Sequence, residues 1–257
     1  MKSTSLLTII SSIVIYATTI SCNDKKSYTP ERIKSDKITI DSYLTEDQSI
    51  TDLIKPYKEG IQSEMDSTLA YAPKSYSKKD SKYNTAIGNM MSDAVYEIAN
   101  PIYKKRTGHS FDAVLLNYGG IRSSLSQGTI TTRTAYEIMP FENELIVLEM
   151  TANQIHQMFD YLKSGTAHPF TGMTLQLDNT GAISKAQIQG KDIDTTKTYF
   201  IATSDYLKNG GDNMNFFSGS KSELLLDYKI RNVLIDYFKK QDTVAPVVDN
   251  RFTRAAK

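Results

Sequence analysis

Cysteine is nearly absent from this sequence, since Cys22 is the one thiol among 257 residues. A disulfide scaffold, a zinc ribbon and a thiol redox pair each need at least two cysteines, so all three are excluded. Histidine is scarce as well, and His109, His156 and His168 are the whole supply. A surplus of one charge is also missing, with 30 Lys+Arg against 29 Asp+Glu. This balance argues against a DNA- or RNA-binding protein, which normally carries a clustered basic surplus.

The N-terminal 36 residues have the pattern of an export signal followed by a polar tether. Lys2 precedes an apolar run from Leu6 to Ile20, which has the length of a signal h-region and is too short to span a bilayer comfortably. The segment resembles a bacterial lipoprotein signal cut before Cys22, whose sulfur would carry the lipid; a cleaved signal with an incidental cysteine is the alternative. We predict a signal peptide over 1–21, a tether over 22–36 and a folded domain over 37–257. The lipid would anchor the protein at the bacterial cell envelope, on its periplasmic or surface side.

Helix and strand patterns mix without a regular order along residues 37–257. Apolar spacing predicts helices over 47–65, 85–99, 134–139, 151–162 and 227–238, with Pro56 kinking or breaking the first. Alternating or continuous apolar runs predict strands over 37–41, 69–72, 111–116, 144–150, 172–177, 183–188 and 198–202. Because a βαβ rhythm and a repeat are both missing, the pattern favours an α+β fold over a Rossmann sheet.

Three loops carry side chains that suit ligand binding. Residues 117–122 (Asn-Tyr-Gly-Gly-Ile-Arg) combine paired glycines, which allow close approach to the backbone, with an Arg suited to phosphate or carboxylate. Residues 203–212 (Thr-Ser-Asp-Tyr-Leu-Lys-Asn-Gly-Gly-Asp) end in a carboxylate that can accept hydrogen bonds from sugar hydroxyls. Residues 140–143 (Pro-Phe-Glu-Asn) present one aromatic ring. Each loop alone also fits a structural role, as a plain turn, an Asp fixing its own turn, or a ring anchored to the core.

In this order along the chain, the three loops resemble those of the C-terminal domain of the 5'-nucleotidase family, which includes UDP-sugar hydrolases and 2',3'-cyclic phosphodiesterases. Residues 86–94 resemble that domain's first helix, and residues 128–131 resemble the strand after its Gly-Gly-Ile-Arg turn. The resemblance extends over about residues 38–252. It implies a single domain with α/β/β/α layers, which holds the substrate while a separate metallophosphatase domain hydrolyses it.

The same resemblance implies roles for individual side chains. Phe141 and Tyr206 would stack on the two faces of a nucleobase, because aromatic stacking tolerates different bases. Asp212 would bind the ribose hydroxyls, and Arg122 would bind phosphate. Further ligand contacts are expected from Asn117, Gly119, Gly120, Asn143 and Gly211.

The sequence departs from the family pattern at several of these loops. Tyr206 stands where Phe is common, which adds a hydroxyl to the ring. Glu142 replaces a Gly and is expected to bring a negative charge near an anionic ligand, and Asn213 replaces the Gly after the Asp. The family's further upstream Arg has no clear counterpart, since residues 78–82 (Lys-Lys-Asp-Ser-Lys) supply only lysines.

The residues that hold the family's catalytic metals are not found in this sequence. Hydrolysis there needs two metals about 3.5–4 Å apart, held by Asp-x-His, Gly-Asn-His-Glu and His-x-His motifs, none of which occurs here. All three histidines are expected to be solvated. We therefore expect no catalytic residue and no cofactor in this chain, with divalent metals only in a partner metallophosphatase. Three hypotheses remain: half of a split 5'-nucleotidase, a non-enzymatic surface binder of nucleosides or nucleotides, and a structural domain that has lost ligand binding.

Overall fold

The computed structural model describes residues 30–256, so the predicted signal and Cys22 lie outside the described residues. It divides into two units, the first ending at Thr51 and the second beginning at Asp52. Residues 30–47 are exposed and contain no helix or strand. The strand predicted over 37–41 is therefore wrong. Ile38 and Ile40 are 84% and 87% exposed, because within the described residues no strand pairs with this segment and no core covers its apolar side.

The first helix, α1 (Gln48–Met65), forms where helical spacing predicted it and continues through Pro56. None of its residues is buried. Just past its end, the Asp66 carboxylate accepts two hydrogen bonds from the Arg133 guanidinium. Within residues 30–256, no helix combines the length and the apolar character needed to cross a membrane.

The second unit combines five further helices with three sheets. The helices are α2 (Ala86–Thr107), α3 (Thr132–Ile138), α4 (Ala152–Leu162), α5 (Asp205–Lys208) and α6 (Ile230–Lys239). The strands are β1 (Thr68–Ala72), β2 (Ala113–Leu115), β3 (Gly128–Thr131), β4 (Glu144–Thr151), β5 (Phe170–Thr171), β6 (Met173–Leu177), β7 (Ile183–Ile188), β8 (Lys191–Asp192), β9 (Thr198–Ser204), β10 (Ser222–Lys229) and β11 (Phe252–Arg254). Their sheet orders are β1-β3, β10-β4-β9-β2-β5 and β11-β6-β7-β8.

The five-stranded sheet separates two hydrophobic clusters. Along β4, Leu145 and Val147 belong to the first cluster, and Ile146 and Leu148 belong to the second, as alternation along a strand requires. The first cluster contains the apolar faces of α2 and α6. The second contains those of α4 and of the four-stranded sheet. This arrangement confirms the predicted α+β fold with α/β/β/α layers.

Two boundaries differ from the prediction for identifiable reasons. Helix α2 continues past residue 99 and through Pro101 to Thr107, and Gly108, whose φ is 81°, gives it a left-handed cap. Residues 222–229, predicted in part as helix, form the edge strand β10 instead. The alternation there is weak because β10 pairs on one side only and its register shifts between Leu225 and Lys229, with Asp227 at a φ of 51°.

Candidate functional site

Three loops that are distant in sequence line one open cleft of about 250 Å³. Its lining residues are Asn117, Gly119, Gly120, Arg122, Phe141, Asn143, Tyr206 and Asp212. The structure thus brings together eight of the nine predicted ligand-contact residues. The ninth, Gly211, lies under the Tyr206 ring, where a Cβ would overlap the ring atoms. Glycine at 211 therefore makes room for the ring that lines the cleft.

The topology of the five-stranded sheet explains why the loops meet. Strands β2 and β9 are neighbours and run parallel, so the loops that follow them, 117–122 and 205–212, leave the same edge of the sheet. Strand β4 runs antiparallel to β9, with Leu145 opposite Ser204. Its preceding loop, 140–143, therefore reaches that edge too. Ligands of open α/β sheets commonly bind outside the carboxyl ends of the strands.

The two aromatic side chains of the cleft are both partly exposed. Phe141 is 39% exposed and Tyr206 is 44% exposed, so neither ring is packed into the interior. The interpretation of Phe141 as an anchor on the core does not fit this exposure. The Arg122 guanidinium carbon lies 5.8 Å from the centre of the Phe141 ring. A cation therefore lies beside one of the two aromatic rings.

The Asp212 carboxylate is oriented by hydrogen bonds from two other cleft residues. Asn117 Nδ2 donates to Asp212 Oδ2 over 2.8 Å, and Tyr206 Oη donates to Oδ1 over 3.0 Å. Each carboxylate oxygen can accept a further bond. The hydrogen bond to the Asp212 carboxylate raises the pKa of Tyr206. The hydroxyl that distinguishes Tyr206 from the family's usual Phe thus holds the carboxylate in place.

His168 is the residue behind the cleft that sequence reasoning missed. It is buried, and its Nδ1 accepts a hydrogen bond from the Tyr118 N–H over 3.2 Å. Burial lowers the pKa of His168 to about 4, against a smaller opposing effect of Asp212. The expectation of a solvated side chain is wrong here, although His109 and His156 are exposed. The signal of burial available in the sequence was the apolar character of its neighbours Ala167, Pro169 and Phe170.

Glu142 does not line the cleft, so the negative charge expected near the ligand is directed elsewhere. Its carboxylate forms ion pairs with Lys229 and Arg231. The hydrogen bonds that Glu142 accepts lower its pKa to about 2, and the bond from Lys229 has a larger effect than the bond from Arg231. Buried Arg231 also donates to the carbonyl oxygens of Pro140 and Phe141, over 3.4 and 3.3 Å. The helix α6 side of the loop therefore neutralises Glu142 and holds the backbone of Phe141.

Lys78 supplies a second cation close to Arg122. Its Nζ donates to the Ile121 carbonyl oxygen over 2.7 Å and lies 4.5 Å from the centre of the Tyr118 ring. Burial, followed by repulsion from Arg122, lowers the pKa of Lys78. Among the ion pairs of residues 30–256, none involves Arg122 or Lys78. Arg122 lines the cleft and Lys78 lies close to Arg122, and two cations without an ion pair there favour an anionic ligand group.

Potential metal ligands do not cluster in the part of the chain that the structure describes. No group of three or more His, Cys, Asp or Glu side chains in residues 30–256 could hold a metal ion.

Comparison with known proteins identifies the family. The model of the 5'-nucleotidase C-terminal domain matches residues 63–219, and the chain belongs to this family. A 5'-nucleotidase of Vibrio vulnificus is 24% identical over 233 residues, which cover 85% of this chain and 38% of the relative. The cell wall protein Lmo0130 of Listeria monocytogenes is 27% identical over 230 residues, or 80% and 28% of the two chains. The chain thus spans about a third of the length of these curated relatives.

A solved structure supports the fold. The crystal structure of a 5'-nucleotidase precursor from Thermus thermophilus superposes with a TM-score of 0.67 at 20% identity. The superposition covers 82% of this chain and 44% of the other. The resemblance inferred from the three loops is confirmed for both family and fold.

Proposed function

We propose that this chain is the substrate-binding part of a split 5'-nucleotidase system, which binds a nucleoside or nucleotide while a metallophosphatase on another chain hydrolyses the phosphoester. The observation that carries the proposal is the cleft itself, in which three family loops meet and leave two aromatic rings partly exposed. A domain that had lost ligand binding would be expected to fill this space with its own side chains. The open cleft therefore disfavours the structural hypothesis.

The nucleobase would lie between the rings of Phe141 and Tyr206. Stacking contributes about 1–3 kcal/mol per base and accepts any base with a flat face. The proposed arrangement therefore supplies affinity with little base preference. The half-exposed rings also require no rearrangement of the core before a base can enter.

The ribose and phosphate would be bound at the glycine loops. Asp212 Oδ1 and Oδ2, held by Tyr206 and Asn117, can each accept a bond from a neighbouring sugar hydroxyl. Arg122 lines the cleft and Lys78 lies near it, and neither is neutralised by an ion pair within residues 30–256. We assign the phosphate to this pair of cations, with Lys78 standing in for the family's missing upstream Arg.

A second chain enters the proposal because hydrolysis in this family needs two metal ions. The motifs that would hold them do not occur in the 257 residues, and the divalent metals are therefore assigned to the partner metallophosphatase. The sequence pattern supports a location, since the apolar run from Leu6 to Ile20 is followed closely by Cys22. We propose a lipid anchor there and a place in the bacterial cell envelope, a setting consistent with one relative's name as a cell wall protein.

The test separates binding from hydrolysis. Titration calorimetry with adenosine and AMP should show binding to this chain alone. AMP and UDP-sugar hydrolysis should then be absent for this chain, and should rise above the partner's own rate when a stand-alone metallophosphatase and divalent metal are added. If binding is found but no metallophosphatase from the same organism gains activity, the split system is wrong.

Binding without any gain of activity would favour a non-enzymatic surface binder of nucleosides or nucleotides. The observation in its favour is that the residues proposed to bind the base and the ribose line one cleft of this chain, whereas the family's metal-binding motifs do not occur in the 257 residues. Such a binder predicts a rise in Tm with adenosine that needs no partner and follows mass action. A Tm that no nucleoside or nucleotide changes would contradict both binding hypotheses.

A further inference from the structure

The two glycine loops of the cleft share a buried support. The first loop contains the turn Tyr118–Gly120, and the Tyr118 N–H donates to His168 Nδ1 over 3.2 Å. Gly119 and Gly120 of this turn line the cleft directly. The hydrogen bond to His168 therefore fixes the backbone at the point where the ligand would approach it.

The second loop is linked to the same histidine through Tyr161 of α4. The rings of Tyr161 and His168 have centres 5.5 Å apart, and Tyr161 Oη donates to the Asp212 carbonyl oxygen over 2.8 Å. Asp212 and Asn213 have φ values of 51° and 59°. Left-handed conformations of non-glycine residues persist where surrounding contacts maintain them. The Tyr161 bond is one of those contacts.

Only an unprotonated Nδ1 can accept the Tyr118 hydrogen bond. The titratable groups that face His168 are the Tyr161 phenol of α4 and the Asp212 carboxylate of the second loop. The carboxylate favours a charged imidazole, but burial outweighs it and keeps the ring neutral at neutral pH. The acceptor is therefore available under the conditions in which a ligand would bind.

We propose that His168 is a positioning residue for the cleft: its Nδ1 holds the first glycine loop, and its ring, through Tyr161, holds the second. The two loops are thereby kept at the spacing that receives the sugar and phosphate. The inference rests on the proposed function for the identity of the ligand, but the support of the loops is a property of the unliganded protein. His168 belongs neither to the three loops that meet at the cleft nor to the residues that line it.

The experiment compares His168→Ala, which removes the acceptor, with His168→Asn, whose Oδ1 can accept near the position of Nδ1. Hydrogen exchange followed by mass spectrometry reports on peptides that cover 116–122 and 209–214, and calorimetry gives the Kd for adenosine. We expect His168→Ala to speed exchange in both peptides and to raise the Kd at least tenfold. His168→Asn should stay within threefold of the unaltered protein. His156→Asn, an exposed change on α4, is the matched control.

Two outcomes would overturn the proposal: unchanged exchange in His168→Ala, or a defect in His168→Asn as large as that of His168→Ala. If His168→Ala does not fold, His168→Gln takes its place, because its amide lies nearer Nε2 and should not restore the Tyr118 bond. If adenosine does not bind the unaltered protein at all, the proposed function fails. The exchange data then still decide the role of His168.

Discussion

The two walls of the cleft are held in place by different forces. The glycine-loop wall, 117–122 and 205–212, depends on hydrogen bonds without an ion pair: two join neutral groups, to His168 and from Tyr161, and one runs from the Asn117 amide to the Asp212 carboxylate. The aromatic-loop wall, 140–143, depends on charges, since Arg231 and Lys229 hold Glu142 and Arg231 also holds two carbonyl oxygens. The first wall carries the oxygens proposed to recognise a sugar, and the second carries one stacking ring.

The difference has physical consequences. Hydrogen bonds between neutral groups are insensitive to salt, but the His168 bond is lost when its imidazole is protonated. Ion pairs with exposed partners are screened by salt and contribute little to stability. Recognition of a diol needs oxygens fixed in direction, whereas stacking tolerates small shifts of a ring. The firmer support thus lies under the group that needs the stricter geometry.

The largest expected effect is a pH dependence of the free energy of unfolding that comes from the glycine-loop wall alone. His168 has a pKa of about 4 in the folded protein against an ordinary value of 6.5, so the unfolded chain binds the proton more tightly. The stability that this group contributes is complete above pH 6.5 and is lost as the pH falls toward 4. Between pH 7 and pH 4.5, the free energy of unfolding should fall by about 2–3 kcal/mol more in the unaltered protein than in His168→Asn. Urea denaturation of both proteins at the two pH values measures it.

Parallel pH profiles for the two proteins would show that His168 is not the buried neutral group described above. Carboxylates elsewhere, such as Glu142, titrate in both proteins and cancel in the difference. Glu142→Gln serves as a control, because it alters the other wall. When it is added to both proteins, the difference between the unaltered residue and His168→Asn should stay the same.

Removing either ring should produce the next largest effect. Phe141→Ala and Tyr206→Ala should each weaken adenosine binding by about 1–3 kcal/mol, the energy of one stacked base. The loss should be greater for Tyr206→Ala, since this change also removes a donor to Asp212. Tyr206→Phe keeps the ring and isolates the hydroxyl. Calorimetry measures each Kd, with Tyr57→Ala, an exposed ring on α1, as the control.

An unchanged Kd for Phe141→Ala would mean that the aromatic-loop wall does not touch the base. The stacking arrangement would then be wrong, although binding at the glycine loops could continue. Equal losses for Tyr206→Ala and Tyr206→Phe would assign the whole effect to the hydroxyl.

Asp212 tests whether the glycine-loop wall recognises a sugar. Asp212→Asn suits the left-handed backbone at this position, because Asn tolerates φ near 51°. The substitution removes the negative charge and one acceptor, and hydrogen bonds to charged groups contribute about 1.5–3 kcal/mol. We expect adenosine affinity to fall about tenfold, by the loss of part of this energy, while adenine affinity stays the same. Equal losses for adenosine and adenine would remove Asp212 from the sugar role.

Arg122 and Lys78 should affect the phosphate alone. Arg122→Gln and Lys78→Gln are each expected to reduce AMP affinity about fivefold, as loss of a partly exposed ion pair of about 1 kcal/mol would. Adenosine affinity should hardly change. Lys79→Gln, which changes the same net charge one residue away, is the control. If Lys79→Gln weakens AMP binding as much as Lys78→Gln does, the effect is one of general charge and not of a phosphate site.

The residues of the cleft could be predicted from the sequence because three loops at strand ends, in their order along the chain, resemble those of the 5'-nucleotidase family. Each loop also carries a recognisable group of side chains, such as the Gly-Gly pair before Arg122 or the ring at Phe141. The fold followed from amphipathic helices such as α4, which begins after its N-cap Thr151 and fills the predicted range 151–162. The α/β/β/α layers were predicted from the family resemblance.

The supports behind the cleft could not be predicted in the same way. His168 and Arg231 are buried polar residues, and burial of a polar side chain depends on partners that are distant in sequence, here Tyr118 and Glu142. Edge strand β10 and the exposed segment 37–41 show the same limit, since alternation reports a strand only where one face is covered by other elements. The family resemblance of the three loops therefore predicted what lines the cleft, and neither it nor the local patterns predicted what holds the cleft in place.

The smallest expected effect lies on the charged wall. Glu142→Gln removes the carboxylate shared by Lys229 and Arg231, but both the Glu142 and Lys229 side chains are well exposed. Arg231 keeps its bonds to the carbonyl oxygens of Pro140 and Phe141, so the backbone that carries the Phe141 ring should stay in place. We expect adenosine affinity to fall less than threefold. Raising the salt concentration should change the adenosine affinity of the unaltered protein more than that of Glu142→Gln. A loss as large as that of Phe141→Ala would show instead that the charge network, and not the carbonyl bonds of Arg231, determines where the ring lies.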